Sequence, residues 1–160
     1  MIRAFSLCFL LIIIFSSCDP DRVYDNYQSL PGYWEKDSII SFEIKGLDSI
    51  QNYDLFINLR NTNQYEYSNI YLITTMNFPY GKVIEDTLEY QMAFPSGEWM
   101  GVGIGEAKSS KLWYKKNIRF EEPGPYHFEI RHAMRKNNQR EGIEKLKGIT
   151  EVGLRIEKTK

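Results

Sequence analysis

Tyr126-His127-Phe128-Glu129-Ile130-Arg131-His132 decides the fold. Tyr126, Phe128, Ile130 and His132 fall on one parity, and His127, Glu129 and Arg131 on the other. Successive side chains of a strand point to opposite faces, so this stretch has one face in and one face out. The same pattern recurs upstream. Ile40, Phe42 and Ile44 alternate with Ser41, Glu43 and Lys45, and Tyr53, Leu55, Ile57 and Leu59 with Asp54, Phe56, Asn58 and Arg60. Leu88, Tyr90 and Met92 alternate with Thr87, Glu89 and Gln91, and near the end Val152, Leu154 and Ile156 alternate with Gly153, Arg155 and Glu157. Asn69–Met76 is apolar on both parities, which predicts a central strand. Leu112, Tyr114, Ile118 and Phe120 predict a further strand or a bent pair.

Turn residues separate these runs: Gly46, Pro79-Tyr80-Gly81, Pro95-Ser96-Gly97 and Pro123-Gly124-Pro125. Short alternating strands at this spacing predict an all-β fold, an antiparallel β-sandwich, over residues 37–160. Pattern alone does not separate a jelly-roll from an immunoglobulin-like topology. The mostly polar stretch from Arg135 to Leu146 is expected to be a loop with at most one helical turn. Residues 18–36 are polar and contain Pro20, Pro31 and Gly32, and read as a flexible tether.

The first residues have a different character. Arg3 precedes an apolar stretch from Ala4 to Phe15, and Ser16-Ser17 precede Cys18. A basic start, a short apolar run and small residues form the layout of a secretory signal peptide, here residues 1–17. A span of the membrane needs roughly 20 apolar residues, more than this run supplies. Phe15-Ser16-Ser17-Cys18 resembles a bacterial lipobox, so Cys18 is the expected lipidation site and the expected first residue of the mature chain. Each buried methylene contributes about 0.8 kcal/mol, and several acyl chains such as palmitate make attachment effectively permanent. The other cysteine, Cys8, lies in the signal peptide. The exported domain therefore has no internal disulfide, and its stability must come from packing. The chain supplies 9 Phe, 11 Tyr and 3 Trp for that purpose. A formal net charge of −1, with both signs interspersed, gives no footprint for nucleic acid.

Few constellations suggest chemistry. Gly101-Val102-Gly103-Ile104-Gly105 lacks the spacing of a dinucleotide loop and the ending of a P-loop. Read as a strand, it puts Trp99, Gly101, Gly103 and Gly105 on one face. That face serves either close packing of another backbone or ring, or a shallow binding cleft walled by Trp99. His127 and His132 are five apart and point to opposite faces of their strand, so they form no metal pair, and neither a metal nor a cofactor is expected. His132 lies on the apolar face, where a hydrogen-bonded buried histidine is expected. Glu85-Asp86 and Glu121-Glu122 are neighbours in sequence and point apart, unlike the facing carboxylates of a glycosidase. No Gly-x-Ser-x-Gly elbow occurs. A non-enzymatic domain is therefore expected.

Several segments resemble one family in order: Phe78-Pro79-Tyr80-Gly81, Asp86-Thr87-Leu88-Glu89-Tyr90, Gly97-Glu98-Trp99-Met100-Gly101-Val102-Gly103, His132-Ala133-Met134-Arg135, and Gly148-Ile149-Thr150-Glu151-Val152-Gly153-Leu154-Arg155-Ile156-Glu157-Lys158. With the lipobox, they resemble the gliding motility lipoprotein GldH family of the Bacteroidetes, from Cys18 to Lys158. The resemblance implies a lipid-anchored protein of the cell envelope, with the outer membrane as the expected address. It implies support of gliding and of the related type IX secretion machinery, with other gliding or secretion envelope proteins as partners. The family carries no established catalytic residues, so none are transferred. A second expectation comes from the fold class, since jelly-roll sandwiches often bind sugars through exposed aromatics. Trp34, Trp99 and Trp113 are the candidates for such a surface glycan-binding role.

Overall fold

The strands pair as nested hairpins. The computed structural model describes residues 19–160, so the signal peptide and Cys18 lie outside the described residues. The strands are β1 (Arg22–Ser29), β2 (Tyr33–Glu35), β3 (Ile40–Ile44), β4 (Tyr53–Asn61) and β5 (Asn69–Asn77), then β6 (Val83–Gln91), β7 (Lys108–Ile118), β8 (Tyr126–His132), β9 (Lys145–Lys147) and β10 (Ile149–Lys158). β1 pairs with β10, β2 with β9, β3 with β8, β4 with β7 and β5 with β6, all antiparallel. The described chain is thus one long hairpin whose tip is the turn closed by Phe78 N donating to Lys82 O at 2.8 Å.

This ribbon rolls up. β10 also pairs with β4, and β8 with β5, which produces two four-stranded sheets of order β1-β10-β4-β7 and β3-β8-β5-β6. Two sheets built from one rolled hairpin form a jelly-roll, and the order excludes the immunoglobulin arrangement. β2 and β9 form the short stretch of ribbon where it passes from one sheet to the other.

The inward parity of each sheet makes the core. Leu55, Ile57 and Leu59 of β4 and Val152, Leu154 and Ile156 of β10 face Phe42 of β3, Phe128 and Ile130 of β8, and Ile70 and Leu72 of β5. Each such side chain contributes about 1.5–3 kcal/mol when fully buried. Aromatic edge contacts lock the layers at one end, where Phe120 stands between Tyr53 and Tyr126 at 5.8 and 4.8 Å. At the other end Trp34, fully buried, meets His132 edge-on at 5.6 Å. The lateral edges are stitched by side chains, which covers strand edges that would otherwise template pairing. Gln28 Nε2 donates to Ser41 O at 2.6 Å on one side, and Tyr90 Oη donates to Trp113 O at 2.6 Å on the other.

Four expectations need correction. Residues 22–35, read as tether, include β1 and β2, so the sheet begins at Arg22 rather than at residue 37. β1 is an edge strand with few apolar residues, and Trp34 carries β2 into the core. β5 is central as expected, but it is buried on one face only, and Tyr71 is exposed on the other. The stretch from Arg135 to Leu146 holds no helix. It bridges Arg135 to Gly142 and ends in β9, whose Leu146 is fully buried. Finally, Phe56 and Asn58 lie on the outer parity of β4 yet are buried, because side chains of β1 and β7 in the same sheet cover them. Phe56 stacks on Trp113 at 4.2 Å, and Asn58 Nδ2 donates to Tyr27 Oη at 2.7 Å.

Candidate functional site

The Trp99 segment does not form the strand expected of it. Only isolated bridges occur there, Ala93 to Trp99 and Val102 to Ser109, and Gly105 has a φ of 79° that ends extended backbone. Val102 and Ile104 project into solvent. Trp99 is half-buried, lies 6.1 Å from the Tyr65 ring, and donates through Nε1 to Asn63 Oδ1 at 3.0 Å. A Cβ on Gly101 would come 2.7 Å from Ser110 Oγ, and one on Gly103 would come 2.5 Å from Ala107 O. The space over these two glycines is therefore filled by the chain itself. Gly105 has open space beside it. The structure does not bring Trp99, Gly101, Gly103 and Gly105 onto a common face.

The histidines separate as their parity predicts. His127 is exposed and His132 is buried on β8. His132 Nε2 lies 3.2 Å from the Trp34 carbonyl oxygen, and its Nδ1 has no partner. Burial holds the imidazole below its ordinary pKa, and the Trp34 hydrogen bond opposes this only in part. The acidic pairs also diverge. Glu85 is exposed, whereas Asp86 turns to the β6–β7 edge, where Tyr114 Oη donates to it at 2.8 Å and Lys115 Nζ lies at 2.9 Å. Burial raises the Asp86 pKa, but these two partners outweigh it and hold the carboxyl below the usual range. Glu122 accepts from the backbone N–H of Tyr80 at 2.8 Å, which ties the β7–β8 connection to the hairpin tip.

The end nearest Cys18 is built around Arg155, which sequence patterning did not single out. Its side chain on β10 is only 16% exposed. It contacts Asp25 at 3.1 Å and Glu157 at 2.5 Å, and it pairs with Asp19. Burial lowers the guanidinium pKa, but Glu157, Asp19 and Asp25 raise it further, so the net shift is upward. Asp19, though partly desolvated, is held below the usual carboxylate range by Arg155. The first described residue is thereby fastened to β10, directly after Cys18. Beside it on the outer face, Trp113 is 47% exposed, and Lys116 Nζ sits 4.1 Å above its ring. Tryptophan with an apolar body and a wet edge is the residue type favoured at lipid headgroups. Among the described residues, no helix is long and apolar enough to cross a membrane.

Comparison with known proteins bears on this arrangement. The family model described as GldH lipoprotein matches residues 22–156, which begin at the first residue of β1 and end within β10. A protein named gliding motility lipoprotein GldH homolog, from Christiangramia forsetii, is 56% identical over 161 residues, covering 99% of each chain. The gliding motility lipoprotein GldH of Flavobacterium johnsoniae is 44% identical over 156 residues, covering 98% of this chain and 97% of its own. Among solved structures, one of the infectious bursal disease virus Gt strain overlaps 86% of this chain and 29% of the viral one, at 16% identity and a TM-score of 0.35. Likeness at that level carries no weight for function. The family match and two nearly full-length relatives do: this chain belongs to the GldH lipoprotein family.

Proposed function

We propose that the protein is a lipid-anchored component of the cell envelope that supports gliding motility and the associated type IX secretion machinery. In this reading it is not an enzyme. It holds a rigid jelly-roll at the membrane, most directly the outer membrane, as a structural or assembly part that other envelope proteins dock against. The carrying observation is the family match over residues 22–156, joined to a lipobox whose Cys18 lies one residue before Asp19. Packing supports the non-catalytic role. The acidic pairs turn apart, and the Trp99 segment is stitched to its neighbours rather than opened to a substrate. The test is a deletion strain complemented with the wild-type chain or with Cys18→Ser. Wild type should restore spreading on agar and export of surface proteins. Cys18→Ser should fail to take up a labelled lipid precursor and should restore neither. A deletion strain that spreads and exports normally overturns the role, and unchanged lipid labelling of Cys18→Ser overturns the anchor.

A further inference from the structure

One rung crosses three strands on the outer face of the sheet β1-β10-β4-β7. Arg155 of β10 pairs in register with Phe56 of β4, and Phe56 with Trp113 of β7. Asp19 is fastened to this rung through Arg155, and it lines the same cleft of about 570 Å³ as Phe56 and Trp113. Cys18 is one Cα step from Asp19, about 3.8 Å. Acyl chains on Cys18 therefore start beside this cleft, and the membrane they enter lies within reach of Trp113.

The face keeps free groups that suit such a neighbour. Trp34 donates through Nε1 to Ser38 O at 2.9 Å, and Trp99 to Asn63 Oδ1 at 3.0 Å, whereas the Trp113 indole N–H has no partner among the described residues. Its ring lies on Phe56 at 4.2 Å and is 47% exposed. Lys116 holds Nζ 4.1 Å above that ring, and Lys158 lines the cleft. Neither lysine enters an ion pair among the described residues. The other charges of the cleft are matched at close range. Asp19 pairs with Arg155, Asp21 with Lys160 and Glu157 with Lys111, while Asp54 accepts from Asn117 N and Thr159 Oγ1. These acids repel a strongly anionic surface and leave two free cations for individual phosphates.

The far end of the sandwich offers more charge and more exposed apolar side chains. A basic cleft of about 350 Å³ there is lined by Lys36, Arg131, Arg135 and Arg140, and Val102 and Ile104 project from the loop before β7. Residues 1–18 join the domain at Asp19, however, so position relative to Cys18, and not exposure alone, selects the Trp113 face.

We propose that this face rests on the headgroups of a zwitterionic phospholipid bilayer, the one that receives the lipid of Cys18. Trp113 lies at headgroup depth and donates its indole N–H to a glycerol ester carbonyl, and Lys116 and Lys158 meet headgroup phosphates. Tryptophan favours that depth because its body is apolar and its edge polar, and a lysine stem spans apolar contacts to keep its charge among polar groups. The docking deepens the anchor reading and rests on it. Its consequence is a fixed orientation, with the sheet β3-β8-β5-β6 turned away from the membrane and left open to envelope partners.

Full-length lipidated protein, reconstituted into phosphatidylcholine vesicles, tests this. Mass spectrometry comes first, and an unacylated Cys18 overturns the anchor reading together with the docking. In acylated, vesicle-bound protein, lipid brominated on the upper acyl carbons should remove most of the Trp113 emission, and lipid brominated near the chain ends should remove less. Trp113→Phe should keep the wild-type urea midpoint, because the side chain is exposed, and its remaining emission should ignore brominated lipid. Acylated, vesicle-bound wild type whose emission ignores the shallow bromine overturns the docking and leaves the anchor standing. So does equal quenching in Trp113→Phe, or quenching that appears only when phosphatidylglycerol is added to the vesicles.

Discussion

Replacing Gly148 with alanine should be among the most damaging single-methyl changes in this protein. Gly148 is the single residue between β9 and β10, and it is buried. Its N–H donates to Gly32 O at 2.9 Å, and its carbonyl accepts from Thr62 N at 2.8 Å, so the residue is clamped from two sides. Its φ of 83° lies in the left-handed region, where a Cβ costs roughly 1–2 kcal/mol. The added methyl would also meet backbone, approaching Gln64 C at 2.6 Å and Tyr65 Cα at 2.7 Å. These atoms are not the far end of a flexible side chain. Relief requires shifting the turn that holds Tyr65, whose ring is buried and whose hydroxyl donates to Asn69 O at 2.7 Å. Overpacking of that kind adds roughly 1–3 kcal/mol. Stiffening of the unfolded chain by alanine returns about 0.4–1 kcal/mol, so the net loss is about 1–4.6 kcal/mol, centred near 3. Gly46→Ala is the matched control. Its φ is 72°, but nothing lies within 4 Å of the added Cβ, so only the backbone cost applies, about 1 kcal/mol or less after the same offset. Urea unfolding followed by tryptophan emission measures both, because Trp34 is fully buried in the native state. A Gly148→Ala midpoint no lower than that of Gly46→Ala would refute the reasoning.

Two further outcomes follow from the buried rings. Burial keeps His132 below its ordinary value of 6.5, against the weaker opposing pull of the Trp34 carbonyl and Glu144. The unfolded chain therefore binds a proton that the folded chain refuses as pH falls below about 6.5. His132 thus favours folding fully above that pH, and its contribution is lost on acidification toward the lower folded pKa. Urea midpoints should drop between about pH 6.5 and 5 more steeply in wild type than in His132→Asn, and a rise over that interval would contradict the burial. The tryptophans also differ in access, with Trp34 at 0% and Trp113 at 47% exposure. Iodide should quench mainly Trp113, so Trp113→Phe should remove most of the quenchable emission and leave a blue-shifted remainder. Undiminished quenching in that variant would show that the cover over Phe56 is wrongly described.

The large strands were legible because one face meets the core and the other meets water. In β3, buried Ile40, Phe42 and Ile44 alternate with exposed Ser41 and Glu43, and the period of two is read directly. β1 gave no such signal. As an edge strand, its main apolar contribution to the core is Tyr24, while Tyr27 turns outward over Gly153. β2 and β9 are three residues each, too short to display a period, and each buries one residue, Trp34 and Leu146. The glycines after Trp99 misled for a related reason. Glycine has no side chain to mark a face, so their even spacing carried no information about burial. The basic cleft was illegible because Lys36 meets Arg131 and Arg140 through the long-range β3–β8 and β2–β9 pairings, and no local spacing encodes that meeting.

The rolled hairpin gives the molecule two unlike ends, and its register says which is which. Arg22 pairs with Glu157 at the end where Asp19 is fastened to Arg155, and where Tyr53, Phe120 and Tyr126 stack. From there β1 runs its eight residues to Ser29 opposite Glu151, a length of about 26 Å at roughly 3.3 Å per residue. Beyond it the ribbon passes through β2–β9 to Trp34 and His132, where the arginines converge. Under the proposed lipidation of Cys18, the chain reaches the lipid from the Arg155 end, opposite the arginine-lined cleft. With Asp19 paired to Arg155, the ordered domain begins one residue after that proposed anchor.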